Sequence, residues 1–131
     1  MVCIYCFHDS KVINSRLQKR ANSVWRRRQC LACHAIWTTV ERTEARLAYR
    51  VTKGSEMHDF IPEQLLISLY VALRHRKTAV SDAGALYVTV FQLIQKNQQS
   101  VVSTFEIKKA AYTVLKRFDK TAAAVYKATM S

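Results

Sequence analysis

Four cysteines in two pairs constrain this chain more than any other feature. Cys3 and Cys6 form one C-x2-C pair, Cys30 and Cys33 form another, and twenty-three residues separate the pairs. Two residues between cysteines allow a tight turn that aims both sulfurs at one point, so two such turns supply four thiolates for a tetrahedral Zn2+. Four protein sulfurs leave no open coordination position. The spacing therefore predicts one structural zinc ion per chain and argues against a catalytic one.

Other uses of these cysteines fit less well. Two redox C-x-x-C motifs would each need a βαβ context, and residues 7–29 show no helical period. Disulfides are disfavoured in the cytosol, which keeps thiols reduced. His8 and His34 sit beside the pairs. With four thiolates present, we interpret them as surface residues or neighbours of the ligands.

Three runs rich in Val, Ile, Trp and Thr are typical of strands, at residues 11–17, 23–29 and 35–42. With the two cysteine turns they predict a zinc ribbon over residues 1–44, a small antiparallel sheet that cannot fold without its metal. Trp25 and Trp37 are expected to pack in its minimal core.

The chain is strongly basic, with 21 Lys and Arg against 9 Asp and Glu and a net charge of +12. Such an imbalance suits a polyanion, nucleic acid first and an anionic membrane surface second. The triplet Arg26, Arg27 and Arg28 predicts phosphate contacts, with one arginine able to reach a base edge. Because side chains alternate along a strand, Arg26 and Arg28 face one way and Arg27 the other. Arg16 and Lys11 extend the patch; the alternative is a solvated basic face.

After residue 44 the pattern changes to a hairpin and helices. Residues 46–51 and 56–60 alternate like strands around a turn at Gly54. Four amphipathic helices are predicted at residues 62–76, 82–98, 105–118 and 120–130. Their start signals are Pro62 in a first turn, Ser81 as a cap, a capping box of Ser103 with Glu106, and Asp119 as a cap. The expected fold class is α+β, with a four-helix domain capped by a β-hairpin over residues 45–131.

The first 42 residues resemble the N-terminal zinc ribbon of the bacterial repressors of ribonucleotide reductase genes. The resemblance rests on the segments "CIYC", "VINSR", "WRRRQCLAC" and "WTTVER". That family reads C-P-x-C, V-x-D-S-R, R-R-R-R-x-C-x-x-C and F-T-T-x-E at these positions. Four residues depart from the pattern: Ile4, Asn14, Trp25 and Trp37. The resemblance implies that the ribbon binds paired operator boxes on double-stranded DNA, and it carries that role onto Arg16, Arg26, Arg27 and Arg28.

The second half resembles the ATP-cone domain that follows the ribbon in the same family. The resemblance implies binding of ATP or dATP through Val51, Lys53 and Thr104. Three family positions have changed, since Thr52 replaces a second basic residue, His58 an acidic one and Gln64 a basic one. The alternative is a degenerate cone that is kept only for oligomerisation.

These features predict a zinc-dependent, DNA-binding transcriptional repressor of ribonucleotide reductase genes, a homo-oligomer whose assembly changes with ATP or dATP. No catalytic constellation is present in the sequence, so an enzyme is not expected. The chain has no run long enough for a membrane span and no signal peptide, which predicts a cytoplasmic, nucleoid-associated protein. The alternative is a zinc ribbon that binds RNA, the ribosome or RNA polymerase, with the cone acting only as an oligomerisation module.

Overall fold

The structure of the chain is a computed structural model that describes residues 1–130. It contains two compact units, Met1–Thr43 and a second unit that begins at Glu44. The first is an antiparallel sheet with four cysteines, and the second combines helices with a mixed sheet. The predicted α+β fold class is confirmed.

The first unit is built on three antiparallel strands in chain order, β1 (Ser10–Gln18), β2 (Ser23–Cys30) and β3 (Ile36–Arg42). The predicted ribbon sheet is confirmed. A bulge between Val12 and Asn14 in β1 adds one residue to that strand, which bends it and increases its twist.

The core of the ribbon is small and consists of Cys3, Cys30 and Trp37. The packing role predicted for Trp37 is confirmed, since its side chain is buried. The same prediction for Trp25 is wrong, because Trp25 is 49% exposed. Strand alternation explains the difference: Trp25 pairs with Val40 while Trp37 pairs with Arg28, so the two indoles stand on opposite faces of the sheet.

The second unit opens with a short helix where a strand was predicted. Helix α1 (Ala45–Ala48) begins after Glu44, whose carboxylate accepts a hydrogen bond from the backbone N–H of Arg46 at 3.3 Å. The start of the predicted first strand, residues 46–51, is therefore wrong. The strand that forms is β4 (Arg50–Lys53), which pairs with β5 (Glu56–Asp59) in a hairpin. Gly54, in the turn, has a φ of +62°, a left-handed value that glycine adopts without steric cost.

A third strand was not predicted from the sequence. Strand β6 (Val101–Ser103) pairs in parallel with β4, so the sheet has the order β5-β4-β6. It has only three residues and runs directly into the next helix. The predicted hairpin is thus part of a mixed three-stranded sheet.

Four longer helices complete the unit: α2 (Pro62–Leu73), α3 (Ala79–Gln95), α4 (Thr104–Phe118) and α5 (Lys120–Met130). The capping box of Ser103 and Glu106 is confirmed, and so is the cap at Asp119, which accepts the N–H of Ala122 at 3.0 Å. Ser81 is not a cap, because α3 begins two residues earlier and the Ser81 hydroxyl donates back to the carbonyl of Thr78 at 3.1 Å.

The apolar faces of the helices meet in one core with the sheet. Its fully buried large side chains are Leu69, Leu73, Val90, Ile94, Val102 and Leu115. Val102 lies on β6, so the short strand contributes to the core directly. Among residues 1–130, none of the helices has both the length and the apolar character that a bilayer crossing requires.

Candidate metal centre, nucleic-acid interface and ligand cavity

The two cysteine turns bring four sulfurs to one point. The Sγ atoms of Cys3, Cys6, Cys30 and Cys33 all lie within 4.8 Å of one another, with Cys3 to Cys33 at 3.7 Å and Cys6 to Cys30 at 3.4 Å. A tetrahedral ion with Zn–S bonds of about 2.3 Å separates its sulfurs by about 3.8 Å. The donor set therefore fits zinc.

Each turn is closed in the same way. Phe7 and His34, directly after the second cysteine of each pair, have φ angles of 63 and 61. Backbone N–H groups then point back at the sulfurs: Tyr5 donates to Cys3 at 3.4 Å, and Ala32 donates to Cys30 at 3.3 Å. Such N–H···S bonds favour the thiolate that a metal ion needs.

The electrostatics of the four sulfurs also fit a bound cation. Burial of Cys30 opposes its ionisation, but N–H groups of Cys33 and Ala32 outweigh that effect and lower the pKa of Cys30 to about 6. Cys33 accepts from the N–H of Ala35, yet burial and the adjacent sulfurs raise its pKa to about 12. Four thiolate charges this close together cannot all form unless a positive charge compensates them. A divalent cation at the centre of the four sulfurs would supply that charge.

The arginine triplet on β2 is divided between the two faces of the sheet, as strand alternation predicts. Arg26 donates to the Ser15 hydroxyl and to the Glu41 carboxylate, both at 3.1 Å. Arg28 is on the same face, donates to Ser10 at 3.4 Å and has a buried Nε. The structure thus gives both of these arginines partners within the ribbon.

The other face of the sheet presents Arg27. Its pairing partners are Asn14 on β1 and Thr38 on β3, and Arg16 pairs with Trp25 one step along the strands. All five side chains are exposed and, with Ser15, they line a concavity of about 290 Å3. Lys11 is exposed beyond the bulge, opposite Gln29. Of the predicted DNA-binding residues, Arg16, Arg27 and Lys11 therefore lie on one face.

The three residues predicted to bind a nucleotide lie together in the helical unit. Val51, Lys53 and Thr104 line an open cavity of about 660 Å3 between the β4–β5 hairpin, α2, α4 and α5. The hydroxyl of Thr104 donates to the carbonyl of Thr52 at 3.1 Å, so it is not a simple helix cap. The changed residues His58 and Gln64 line the same cavity.

Sequence reasoning missed the second lysine of this cavity. Lys108 lies one helical turn after Thr104 and lines the cavity with Lys53. The i, i+4 spacing from Thr104 could have pointed to it, since residues four apart share a helix face. Asp59, the acidic residue there, pairs with Arg50 at 3.0 Å. The cavity therefore offers two cations to an anionic ligand.

Comparison with known proteins agrees with these features. The family model described as "Transcriptional repressor NrdR-like, N-terminal domain" matches residues 1–41. The Transcriptional repressor NrdR of Herminiimonas arsenicoxydans is 33% identical over 97% of this chain and 85% of its own length. That of Leptothrix cholodnii is 33% identical over 93% of this chain and 84% of its own length. The chain belongs to the NrdR family of transcriptional repressors.

Membership of the NrdR family confirms the resemblance seen in the sequence. The relatives are named as transcriptional repressors, so the prediction that the chain is not an enzyme is confirmed. The zinc-ribbon match, together with the four gathered sulfurs, supports a structural zinc ion. The relatives align with both units, so the family assignment extends beyond the ribbon.

Proposed function

We propose that the chain is a zinc-dependent, DNA-binding transcriptional repressor of ribonucleotide reductase genes. The ribbon, residues 1–44, is the DNA-binding domain, and Cys3, Cys6, Cys30 and Cys33 hold one zinc ion that keeps it folded. The observation that carries the proposal is the basic face of this ribbon in a chain that belongs to a repressor family. A repressor of this kind acts in the cytoplasm, on the nucleoid.

Of the basic ribbon residues predicted to contact DNA, Arg16, Arg27 and Lys11 share one exposed face, and we assign the direct contacts to them. Arg26 and Arg28 lie on the other face and have partners within the ribbon. Residues 1–50 carry ten basic and three acidic side chains, a net charge of +7. Duplex DNA attracts such a surface because each phosphate that it neutralises releases condensed counterions. The measured affinity should therefore fall steeply with salt.

The helical domain, residues 45–131, is proposed to bind ATP or dATP and to change the oligomeric state of the protein. The phosphates are proposed to bind Lys53 and Lys108, because both residues line the cavity that contains Val51 and Thr104. The volume of about 660 Å3 is within the ordinary range for small-molecule sites. Regulation follows if ATP and dATP favour different assemblies, since a ligand shifts an equilibrium only through its differential affinity.

Paired operator boxes call for at least a homodimer, because one small ribbon reaches only one box. The test is selection of bound duplexes from a randomised pool, followed by a search for the recovered sites upstream of ribonucleotide reductase genes. Sedimentation of the protein with ATP, with dATP and without nucleotide tests the change of assembly. Enrichment of structured RNA instead of duplexes would favour an RNA- or ribosome-bound ribbon. An unchanged mass would leave the cone as a fixed oligomerisation module.

A further inference from the structure

We propose that the sheet face carrying Arg16, Trp25 and Arg27 reads base edges in duplex DNA, with the Trp25 indole as its apolar specificity contact. We call these three residues the reading face. The inference rests on the proposed DNA binding of the ribbon and divides its arginines into those that read DNA and those that support the fold.

Trp25 is an exposed indole that does not contribute to the core of the ribbon. The ribbon has a small apolar core, yet it buries Trp37 and leaves Trp25 49% exposed on the central strand of the sheet. An indole buries a large apolar area when a partner covers it, and it has a single N–H donor for a polar contact. Aromatic residues in this situation are frequent at binding surfaces.

The surroundings of Trp25 match the edge of a base pair. Arg16 of β1 pairs with Trp25, and Arg27 is the next residue of β2 whose side chain lies on the same face. No ion pair engages Arg16 or Arg27 within residues 1–130. Asn14 and Thr38 stand beside Arg27. Arginine recognises guanine, asparagine recognises adenine, and an apolar group contacts the thymine methyl. The face offers all three kinds of contact.

On the opposite face, the arginines already have partners within the ribbon. Arg26 is held between Ser15 and Glu41, and the Glu41 carboxylate, 68% exposed, would repel an approaching phosphate. Arg28 stands across from the buried Trp37, with its Nε also buried. These two arginines join neighbouring strands. Arg27 is the member of the triplet that is left for DNA.

The form of the surface favours DNA over RNA. A two-stranded β-ribbon fits the major groove of B-DNA, which is roughly 12 Å wide and exposes a distinct pattern for each base pair. The reading face lies on two neighbouring strands, β1 and β2. The major groove of an RNA helix is too deep and narrow for side chains to read. A sheet face with outward arginines around one indole therefore matches duplex DNA.

The experiment is selection from a pool of short duplexes with a randomised core, using the wild-type chain and single variants. Trp25→Ala should bind the wild-type consensus about tenfold more weakly. Because the indole is neutral, the slope of log K against log salt should stay unchanged. Trp25→Arg should change the preferred base at one position and steepen the slope by roughly 0.9.

Matched controls come from the opposite face. Leu17→Ala removes an exposed apolar side chain of β1 that pairs with Val24, and Arg26→Ala removes an arginine of the same triplet. Both should keep the wild-type base preference, whereas Arg27→Ala should lose it at one position. All variants should retain zinc, which shows that the ribbon is folded.

Fluorescence gives a second readout, because the chain has two tryptophans and the other one is buried. Binding of the selected duplex should protect Trp25 from acrylamide, and Trp25→Phe should lose that response. An unchanged base preference in Trp25→Ala, with normal selection by the wild type, would overturn this inference alone. No enrichment of any duplex by the wild type, or preference for an RNA hairpin, would overturn the proposed function as well.

Discussion

The hydroxyl of Thr104 donates a hydrogen bond to the backbone carbonyl of Thr52, 3.1 Å away, and so joins α4 to β4. The two residues are 52 positions apart in the sequence. This bond lies where β6 runs into α4 beside its parallel partner β4. It positions Lys53, the next residue of β4, and Lys108, one turn along α4, at the same cavity.

If the cavity holds the phosphates of ATP or dATP, both lysines contribute charge-assisted contacts. Lys53→Ala and Lys108→Ala should each weaken binding by about tenfold or more, since such a contact contributes about 1.5–3 kcal/mol. Titration calorimetry with each nucleotide measures this. Lys109→Ala is the matched control, because Lys109 is an exposed neighbour on α4 that does not line the cavity. Equal affinities in all three variants would contradict the assignment.

Thr104→Val tests the junction between β4 and α4 with little change in shape. It removes the donor and leaves the Thr52 carbonyl without that bond, which should lower the free energy of unfolding by about 1 kcal/mol. Urea denaturation followed by far-UV circular dichroism measures the loss. Thr113→Val is the control, because the Thr113 hydroxyl donates only to the Lys109 carbonyl within α4. An equal loss of stability in the control would show that the hydrogen bond between Thr104 and Thr52 contributes no more than a hydroxyl bond within a helix.

Signals that lie within one element were predictable from the sequence. The capping box of Ser103 and Glu106 occupies four consecutive residues, and its hydrogen bonds form as expected. The two cysteine turns are equally local, and the C-x2-C spacing of each pair predicted them. Strand alternation in β2 likewise placed Arg27 on the face opposite Arg26 and Arg28.

Features that depend on pairing between distant segments were not predictable. Strand β6 has three residues, too few for a pattern, and exists because β4 lies beside it. The ion pair of Arg26 with Glu41 requires the register between β2 and β3. Trp25 and Trp37 each follow a β-branched residue in a strand, and the register of β2 and β3 places the two indoles on opposite faces, of which the ribbon buries that of Trp37.

Loss of one zinc ligand should unfold the ribbon and spare the helices. Cys3→Ser and Cys30→Ser should each abolish the one equivalent of zinc, because the ribbon core contains little besides these sulfurs and Trp37. Metal analysis and tryptophan emission report on the ribbon, which contains both tryptophans, and circular dichroism reports on the helices. His34→Asn is the control, since asparagine also tolerates the positive φ at that position. A variant without metal that keeps the native emission would contradict the structural role of zinc.

Acid should destabilise the helical domain through Asp119. The N–H of Ala122, His75 and Arg76 all hydrogen-bond its carboxylate and hold the pKa of Asp119 far below its ordinary value, against the effect of burial. A lowered pKa in the folded state means that the stabilisation is complete above the unfolded value of about 3.9 and is lost as the pH falls below it. The helices should therefore lose stability in that range.

Two variants at Asp119 separate its charge from its cap. Asp119→Asn keeps a good capping side chain for α5 but removes the charge, so it should be less stable at neutral pH and lose less stability on acidification. Asp119→Ala should cost about 1 kcal/mol more, the usual value of a cap. The pKa of Asp82 is also lowered, by Thr78 and Arg76, so some acid sensitivity should persist in both variants. Urea denaturation followed by circular dichroism at neutral and acidic pH measures each effect. If the free energy of unfolding of Asp119→Asn depended on pH as that of the wild type does, the carboxylate of Asp119 would not be the group that links acid to unfolding.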